Sequence, residues 1–161
     1  MKFTPWQHWP ARNNLGEILR YPGVYVVCFS PATPLDGKSF QWAKDIIYIG
    51  MTNSVTGLKG RLAQFDQTMR TSRVTHGGAD RVRIKFPDYS RFVRSAYVAV
   101  CHMVCDGTAN SPADLRKMGK VAEWEYVALA TYAETFGGRP ECNKRTAKKV
   151  SQKSKPGMGQ W

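Results

Sequence analysis

The sequence predicts an α+β fold in which a small three-stranded antiparallel sheet is flanked by helices. Three stretches are rich in the β-branched and aromatic residues that favour strands: residues 25–29, 45–49 and 93–104. Two others repeat apolar residues every three or four positions, as amphipathic helices do: residues 57–69 and 120–136. With 161 residues, 42% of them hydrophobic, the chain is long enough to fill one core of this kind.

The first two strands are predicted to pair as an antiparallel hairpin. Between them, residues 30–37 contain Pro31, Pro34 and Gly37, which favour a long loop. Ahead of the hairpin, residues 1–20 are interpreted as an extension that packs Trp6 and Trp9 on the core and forms one or two helical turns.

Capping signals place the later helices. Ser111 is a favourable N-cap, and Pro112 occupies a first turn where its missing N–H does no harm. We expect Gly119 to divide a short helix from the longer one over residues 120–136, which ends at Gly137.

The net charge of +12 favours a polyanionic partner, of which nucleic acid is the commonest; from charge alone, the alternative is a soluble basic protein. Residues 21–145 are predicted to form the main domain and residues 146–161 a mobile basic tail. The residues predicted to contact a nucleic-acid backbone are Lys59, Arg70, Arg73, Arg81, Arg83, Lys144, Lys148 and Lys149.

The chain lacks an apolar run of signal-peptide length near Met1 and a run long enough to span a bilayer. We therefore expect a soluble, cytoplasmic protein with no membrane partner. Four scattered cysteines are too few for a disulfide scaffold, so free thiols are expected. A zinc cluster at Cys101, His102 and Cys105 is disfavoured, because neighbouring strand residues point to opposite faces.

Glu125 is the most informative charged residue. It lies four residues after Val121 and four before Leu129, on the apolar face of the predicted helix, whereas Glu123 points nearly the other way. A carboxylate on a buried face is costly unless a cation or hydrogen-bond donors compensate it. The sequence alone leaves two alternatives for the partner of Glu125: a metal ion, or a core arginine or backbone N–H groups.

Five elements in order resemble the GIY-YIG nuclease family. They are Gly23-Val24-Tyr25, Tyr48-Ile49-Gly50, Arg61 on a helix, Glu125 in an apolar helix and Asn143, which ends the segment Arg139-Pro140-Glu141-Cys142-Asn143. The resemblance runs from about Tyr21 to Asn143. It implies a GIY-YIG-like sheet and a metal-dependent DNA endonuclease.

The resemblance also implies roles for the residues. Glu125 would hold a single Mg²⁺ or Mn²⁺, Tyr48 would activate water, and Tyr25 would orient the water or bind the scissile phosphate. Arg61 would bind phosphate through its planar guanidinium, and Asn143 would fix the backbone around the site. For each residue, an ordinary structural role is the alternative.

The chain departs from the family at Phe65. Many relatives carry tyrosine or histidine four residues after the arginine, and phenylalanine neither donates nor accepts a proton. His76, in a segment interpreted as a flexible and basic loop, resembles the additional histidine of some members. We expect His76 to contact the phosphate or to shuttle a proton, so it joins the candidate catalytic residues.

The leading hypothesis is therefore a hydrolase that cuts DNA, with a second copy of the chain or a separate partner protein as further candidate partners. One alternative is a nucleic-acid binding module that keeps the fold without cleaving. Another is a nuclease active only with a partner protein.

Overall fold

The computed structural model describes residues 1–108 and 110–144 and folds them into an α+β structure with one four-stranded antiparallel sheet. The strands are β1 (Gln7–His8), β2 (Gly23–Phe29), β3 (Ile46–Thr52) and β4 (Ala96–His102), in the spatial order β1-β4-β2-β3. The predicted hairpin between the second and third strands is confirmed, and β2 lies at the centre of the sheet. Across it, Tyr25 pairs with Gly50 of β3 and with Val100 of β4.

Four α-helices and two 3₁₀ segments surround this sheet. The helices are α1 (Gly57–Thr71), α2 (Gly77–Lys85), α3 (Tyr89–Ser95) and α4 (Pro112–Phe136). The 3₁₀ segments are Trp9–Arg20, interrupted at Gly16, and Glu141–Asn143.

The sheet separates two hydrophobic cores because neighbouring side chains on a strand point to opposite faces. On one face, Tyr25 and Tyr48 pack with the apolar side of α1 and with residues of α2 and α3. On the other, Val24, Val26 and Ile49 pack against α4. The two tyrosines of the candidate site therefore lie on the face that carries α1 and α2.

The prediction of three strands is incomplete, because Gln7 and His8 form a fourth strand at the free edge of β4. A pair of residues is too short to produce a recognisable alternation in the sequence. The pairing is defined by its partner, with Gln7 opposite Val98 and His8 opposite Tyr97.

Two predicted boundaries are also wrong. Residues 93–95 are the end of α3 rather than the start of a strand, because Asp88 caps this short helix by accepting a hydrogen bond from the Arg91 N–H at 2.9 Å. In α4, the helix continues through Gly119, which is exposed and costs a helix only about 1 kcal/mol relative to alanine. Burial of Val121 just beyond it compensates that cost.

The N-terminal residues are joined to the rest of the fold by a buried contact with α1 as well as by β1. Trp9 is fully buried, and its indole N–H donates to Asp66 of α1 at 2.8 Å. Asp66 also accepts from the Tyr89 hydroxyl at 2.9 Å and pairs with Arg12 at 3.2 Å. One half-buried carboxylate thus connects the first 3₁₀ segment, α1 and α3.

All four cysteines are buried free thiols, as predicted. Within residues 1–108 and 110–144, none of the helices has both the length and the hydrophobicity needed to cross a bilayer.

We expect Asp66→Ala to lower the free energy of unfolding by about 3 kcal/mol. The substitution removes the acceptor that the Arg12 guanidinium, the Trp9 indole N–H and the Tyr89 hydroxyl share. The control is Asp80→Ala, which removes only the Arg83 pair within α2 and should cost less than about 1 kcal/mol. Urea unfolding measures both. Equal losses in the two variants would contradict the role given to Asp66.

Candidate active site

Two tyrosines from adjacent strands form the floor of the candidate site. Tyr25 of β2 and Tyr48 of β3 share one face of the sheet, with ring centroids 6.0 Å apart. Tyr25 is fully buried and Tyr48 is 6% exposed. Gly50 makes this arrangement possible, because a Cβ atom there would lie 2.6 Å from the Tyr25 hydroxyl and 2.7 Å from the Tyr48 ring.

The first turn of α2 closes over these phenols. Gly78, in that turn, packs so closely on Tyr48 that a methyl group at this position would overlap the Tyr48 hydroxyl. The amino-terminal end of α2 is therefore part of the site, although the sequence analysis did not predict this helix.

His76 is the N-cap of α2 and not part of a flexible loop, so that expectation is corrected. Its side chain is only 1% exposed. Its Nδ1 accepts hydrogen bonds from the backbone N–H groups of Gly78 and Ala79, each at 3.1 Å. Its Nε2 lies 2.6 Å from the Tyr25 hydroxyl oxygen.

Burial, which is the largest effect, and the charges of Arg61 and Arg81 together lower the pKa of His76 to about 3, against a smaller opposing backbone interaction. The imidazole is therefore neutral near pH 7.

Phe65 of α1 packs against both His76 and Tyr48. It is fully buried, with its ring centroid 5.2 Å from that of His76 and 5.9 Å from that of Tyr48. An apolar wall therefore faces the two polar rings and keeps water from their inner side.

Arg61 lies on α1 beside the tyrosines and is half-buried. Its Nη1 donates to the Gln64 side chain at 3.3 Å, whereas its buried Nε has no hydrogen-bond partner in the part of the chain that the structure describes. A buried guanidinium N–H left without an acceptor is unfavourable unless a ligand supplies one. Its charge also opposes the raised pKa values of both tyrosines.

The charges around Tyr48 have opposing effects on its pKa. Burial is the largest effect and raises the pKa, while the hydrogen-bonding interaction with Tyr25 and the charges of Arg61 and Arg81 lower it. The Glu125 carboxylate raises it. Burial likewise holds the pKa of Tyr25 well above its usual value. Both groups are neutral phenols near pH 7, and the electrostatic influence of Glu125 reaches the site.

Glu125 is half-buried on α4, which packs against the edge strand β3. The residues one turn away on either side, Val121 and Leu129, are buried at 0% and 7% exposure. Glu123 is exposed and pairs with Lys120 at 2.8 Å. The two glutamates therefore differ in environment as the helical spacing predicted.

Asn143 fixes the strand that carries Tyr48. Its side-chain oxygen accepts from the Ile49 N–H at 2.8 Å, and its side-chain nitrogen donates to the Ile49 carbonyl at 2.7 Å. Both ends of the amide are engaged by the backbone next to Tyr48. This geometry supports a positioning role for Asn143.

Among the residues predicted to contact nucleic acid, Arg81 is the one whose charge acts on Tyr48. It is exposed, its Nε donates to the Cys142 carbonyl at 2.7 Å, and its charge lowers the pKa values of both Tyr48 and His76. Arg83 is instead paired with Asp80 at 2.7 Å. The other described members, all exposed, are Lys59, Arg70, Arg73 and Lys144, while Lys148 and Lys149 lie outside the described residues.

The donor set at this site fits only a cation that keeps most of its water. Within residues 1–108 and 110–144, no three histidine, cysteine or acidic side chains are grouped as ligands for a metal ion. One half-buried carboxylate suits Mg²⁺ or Mn²⁺, since hard cations of this kind bind through one or two carboxylates plus water and substrate phosphate. Glu125 is the residue that would hold it.

Sequence reasoning missed the close packing of Gly50 and Gly78 against the phenols. The only local signal for Gly78 was its place directly after His76 and Gly77. The contact between Gly78 of α2 and Tyr48 of β3 cannot be predicted from the preceding residues His76 and Gly77, because the contact depends on the tertiary arrangement.

Comparisons with protein-family models, curated proteins and solved structures give no match to this chain. The resemblance to the GIY-YIG nucleases therefore rests on the residues and their order.

We expect His76 to make the fold less stable in acid. Its pKa of about 3 in the folded protein lies below the ordinary 6.5, so between these values the unfolded chain binds a proton that the folded chain does not. The contribution of His76 is fully present above about pH 6.5 and decreases by about 2 kcal/mol on acidification to about pH 5. Urea unfolding at several pH values measures it.

The control is His76→Asn, because asparagine retains an N-cap acceptor for α2 but does not titrate. Its stability should fall less between neutral and mildly acidic pH than that of the unchanged protein. The same loss in both proteins would contradict a buried neutral His76.

Proposed function

We propose that this protein is a metal-dependent endonuclease that hydrolyses DNA phosphodiester bonds, as the GIY-YIG nucleases do. The observation that carries the proposal is the arrangement around Tyr48. A second phenol, the partly buried Arg61 guanidinium and the charge of the Glu125 carboxylate all act on this one hydroxyl. Binding DNA requires positive charge but has no need of a half-buried carboxylate beside paired phenols.

Arg61 is the proposed ligand of the scissile phosphate. Its buried Nε has no acceptor among the described residues, and a phosphate oxygen would supply one. The planar guanidinium donates two parallel hydrogen bonds to such a group, which a lysine ammonium cannot do. Arg81, which is exposed and whose charge acts on Tyr48, is suited to a neighbouring phosphate.

Tyr48 is the proposed general base that takes a proton from the attacking water. It is the more exposed of the two phenols, and both Arg61 and Arg81 favour its phenolate form. Tyr25 is deeper and fully buried, so it is better placed to orient Tyr48 than to contact water.

Glu125 would hold Mg²⁺ or Mn²⁺ at the edge of the site. When bound, such an ion neutralises charge on the phosphate and supplies several kcal/mol of transition-state stabilisation. The charge of the Glu125 carboxylate raises the Tyr48 pKa, which disfavours the base. A cation bound to Glu125 would oppose this effect and so favour the phenolate form of Tyr48.

The second candidate function is DNA binding without cleavage. One observation favours it: burial raises the pKa values of both tyrosines, and a neutral phenol is a poor base near pH 7. The two candidates differ in what they require of Glu125, which a cleavage assay tests.

Glu125→Gln should reduce nicking of supercoiled plasmid in Mg²⁺ by roughly 100-fold or more, as loss of several kcal/mol of transition-state stabilisation implies. The matched control is Glu123→Gln, which removes the same charge from the exposed face of the same helix and should cut normally. If the unchanged protein and both variants bind DNA and leave it intact, the endonuclease proposal is wrong and the binding module is favoured.

Duplex binding should weaken as salt concentration rises, because neutralised phosphates release counterions. The logarithm of the binding constant should fall with the logarithm of the salt concentration, with a slope of about 0.9 per phosphate contact. Arg81→Gln should lower this slope by about one contact, whereas Arg83→Gln, whose guanidinium is paired with Asp80, should lower it less. Both variants lose one positive charge, so the comparison isolates position. Fluorescence anisotropy at a series of salt concentrations measures the slopes, and equal slopes would exclude Arg81 from the DNA interface.

A further inference from the structure

The hydrogen bonds of His76 determine which of its nitrogens carries the proton. A backbone N–H can only donate, so Nδ1, which receives the N–H groups of Gly78 and Ala79 at 3.1 Å, must present a lone pair. The imidazole is neutral, and a neutral imidazole carries its single proton on one nitrogen. That proton is therefore on Nε2.

This assignment fixes the direction of the hydrogen bond to Tyr25. The Nε2–H donates to the Tyr25 hydroxyl oxygen across 2.6 Å, since Nε2 has no lone pair left to accept. The Tyr25 hydroxyl hydrogen must then point away from His76.

Tyr48 is the acceptor that remains. Of the rings that contact Tyr25, Phe65 cannot accept a hydrogen bond and His76 has no lone pair left to do so, whereas the Tyr48 hydroxyl can accept, on a ring whose centroid lies 6.0 Å from that of Tyr25. The lowering of the Tyr48 pKa by its interaction with Tyr25 agrees with this direction. The donors thus run in one direction, from the first turn of α2 through His76 and Tyr25 to Tyr48.

We propose that His76 is a positioning residue that, as a neutral Nε2–H imidazole held by the first turn of α2, aligns the Tyr25 hydroxyl as a hydrogen-bond donor to Tyr48. It neither carries protons nor touches the phosphate. Its effect on cleavage rests on the proposed function, whereas its protonation pattern and its bond to Tyr25 do not.

The packing around His76 supports a fixed group and not a carrier. A proton shuttle exchanges its proton with solvent, but this side chain is 1% exposed and Phe65 lies against its ring at 5.2 Å. Both ring nitrogens are already engaged, and release of Nδ1 would remove the cap of α2. Chemistry that changed the protonation of His76 would therefore weaken the helix that covers Tyr48.

The first test measures the tautomer by ¹⁵N NMR of the histidine rings in the full chain near neutral pH. The chain has three histidines, and the signal missing from His76→Asn identifies His76. We expect a protonated Nε2 and an unprotonated Nδ1. In Tyr25→Phe the tautomer should persist while the Nε2 proton resonance moves upfield, because its acceptor is gone. A proton on Nδ1, or an Nε2 proton unaffected by Tyr25→Phe, would overturn the proposal.

The second test is a double-mutant cycle in single-turnover plasmid nicking. His76→Asn keeps an N-cap for α2 but cannot reach Tyr25, so the cleavage rate should fall about tenfold with little change in DNA affinity. In a Tyr25→Phe background the same substitution should have almost no further effect. Independent, multiplicative losses would refute a role that acts through Tyr25.

The two tests separate this inference from the function on which it partly rests. If the unchanged protein does not cut DNA, the endonuclease proposal fails, and the NMR result alone decides the positioning role. If it cuts DNA and His76→Asn cuts at the same rate, the function stands and the role of His76 in it is refuted.

Discussion

The register between β2 and β3 is the constraint on which the candidate site depends. It places Tyr25 opposite Gly50, so that one phenol lies over a residue without a side chain and the other, Tyr48, projects beside it from the next strand. A shift of one residue between the two strands would put the two rings on opposite faces of the sheet. Asn143 secures this register from outside, because its amide forms two hydrogen bonds with the backbone of Ile49.

Buried phenols in such a site create an electrostatic difficulty. Burial favours their neutral forms, whereas the proposed chemistry needs one of them as a base. Arg61 and Arg81 counteract burial at Tyr48, and Glu125 acts against them. Added positive charge near Glu125 would therefore lower the Tyr48 pKa, and under the proposed function a bound metal ion would act on the base in this way without direct contact.

The predictable parts of this molecule were those determined by short-range sequence. The hairpin strands, the helix around Leu58 and Leu62, and the Ser111 cap each follow from residues within a few positions of one another. Two of the errors depend on tertiary contacts: β1 is a strand because it pairs with Tyr97 and Val98, and α4 continues through Gly119 because Val121 is buried. At the site, the difference in burial between Glu125 and Glu123 followed from helical spacing, whereas the burial of His76 depends on α2, a helix that the sequence analysis did not predict.

Phe65 explains why that missed helix matters. A polar residue at this position would act from α1, the helix that also carries Arg61, and would need no support from elsewhere. With phenylalanine there, the polar group facing Tyr25 comes from the cap of α2, and Gly78 of the same turn lies against Tyr48. The cap therefore serves two purposes, to begin a helix and to orient a phenol. Because one imidazole performs both, the alignment of the site and the stability of α2 are coupled, and a substitution that loosens the start of α2 affects the phenols even where it touches neither.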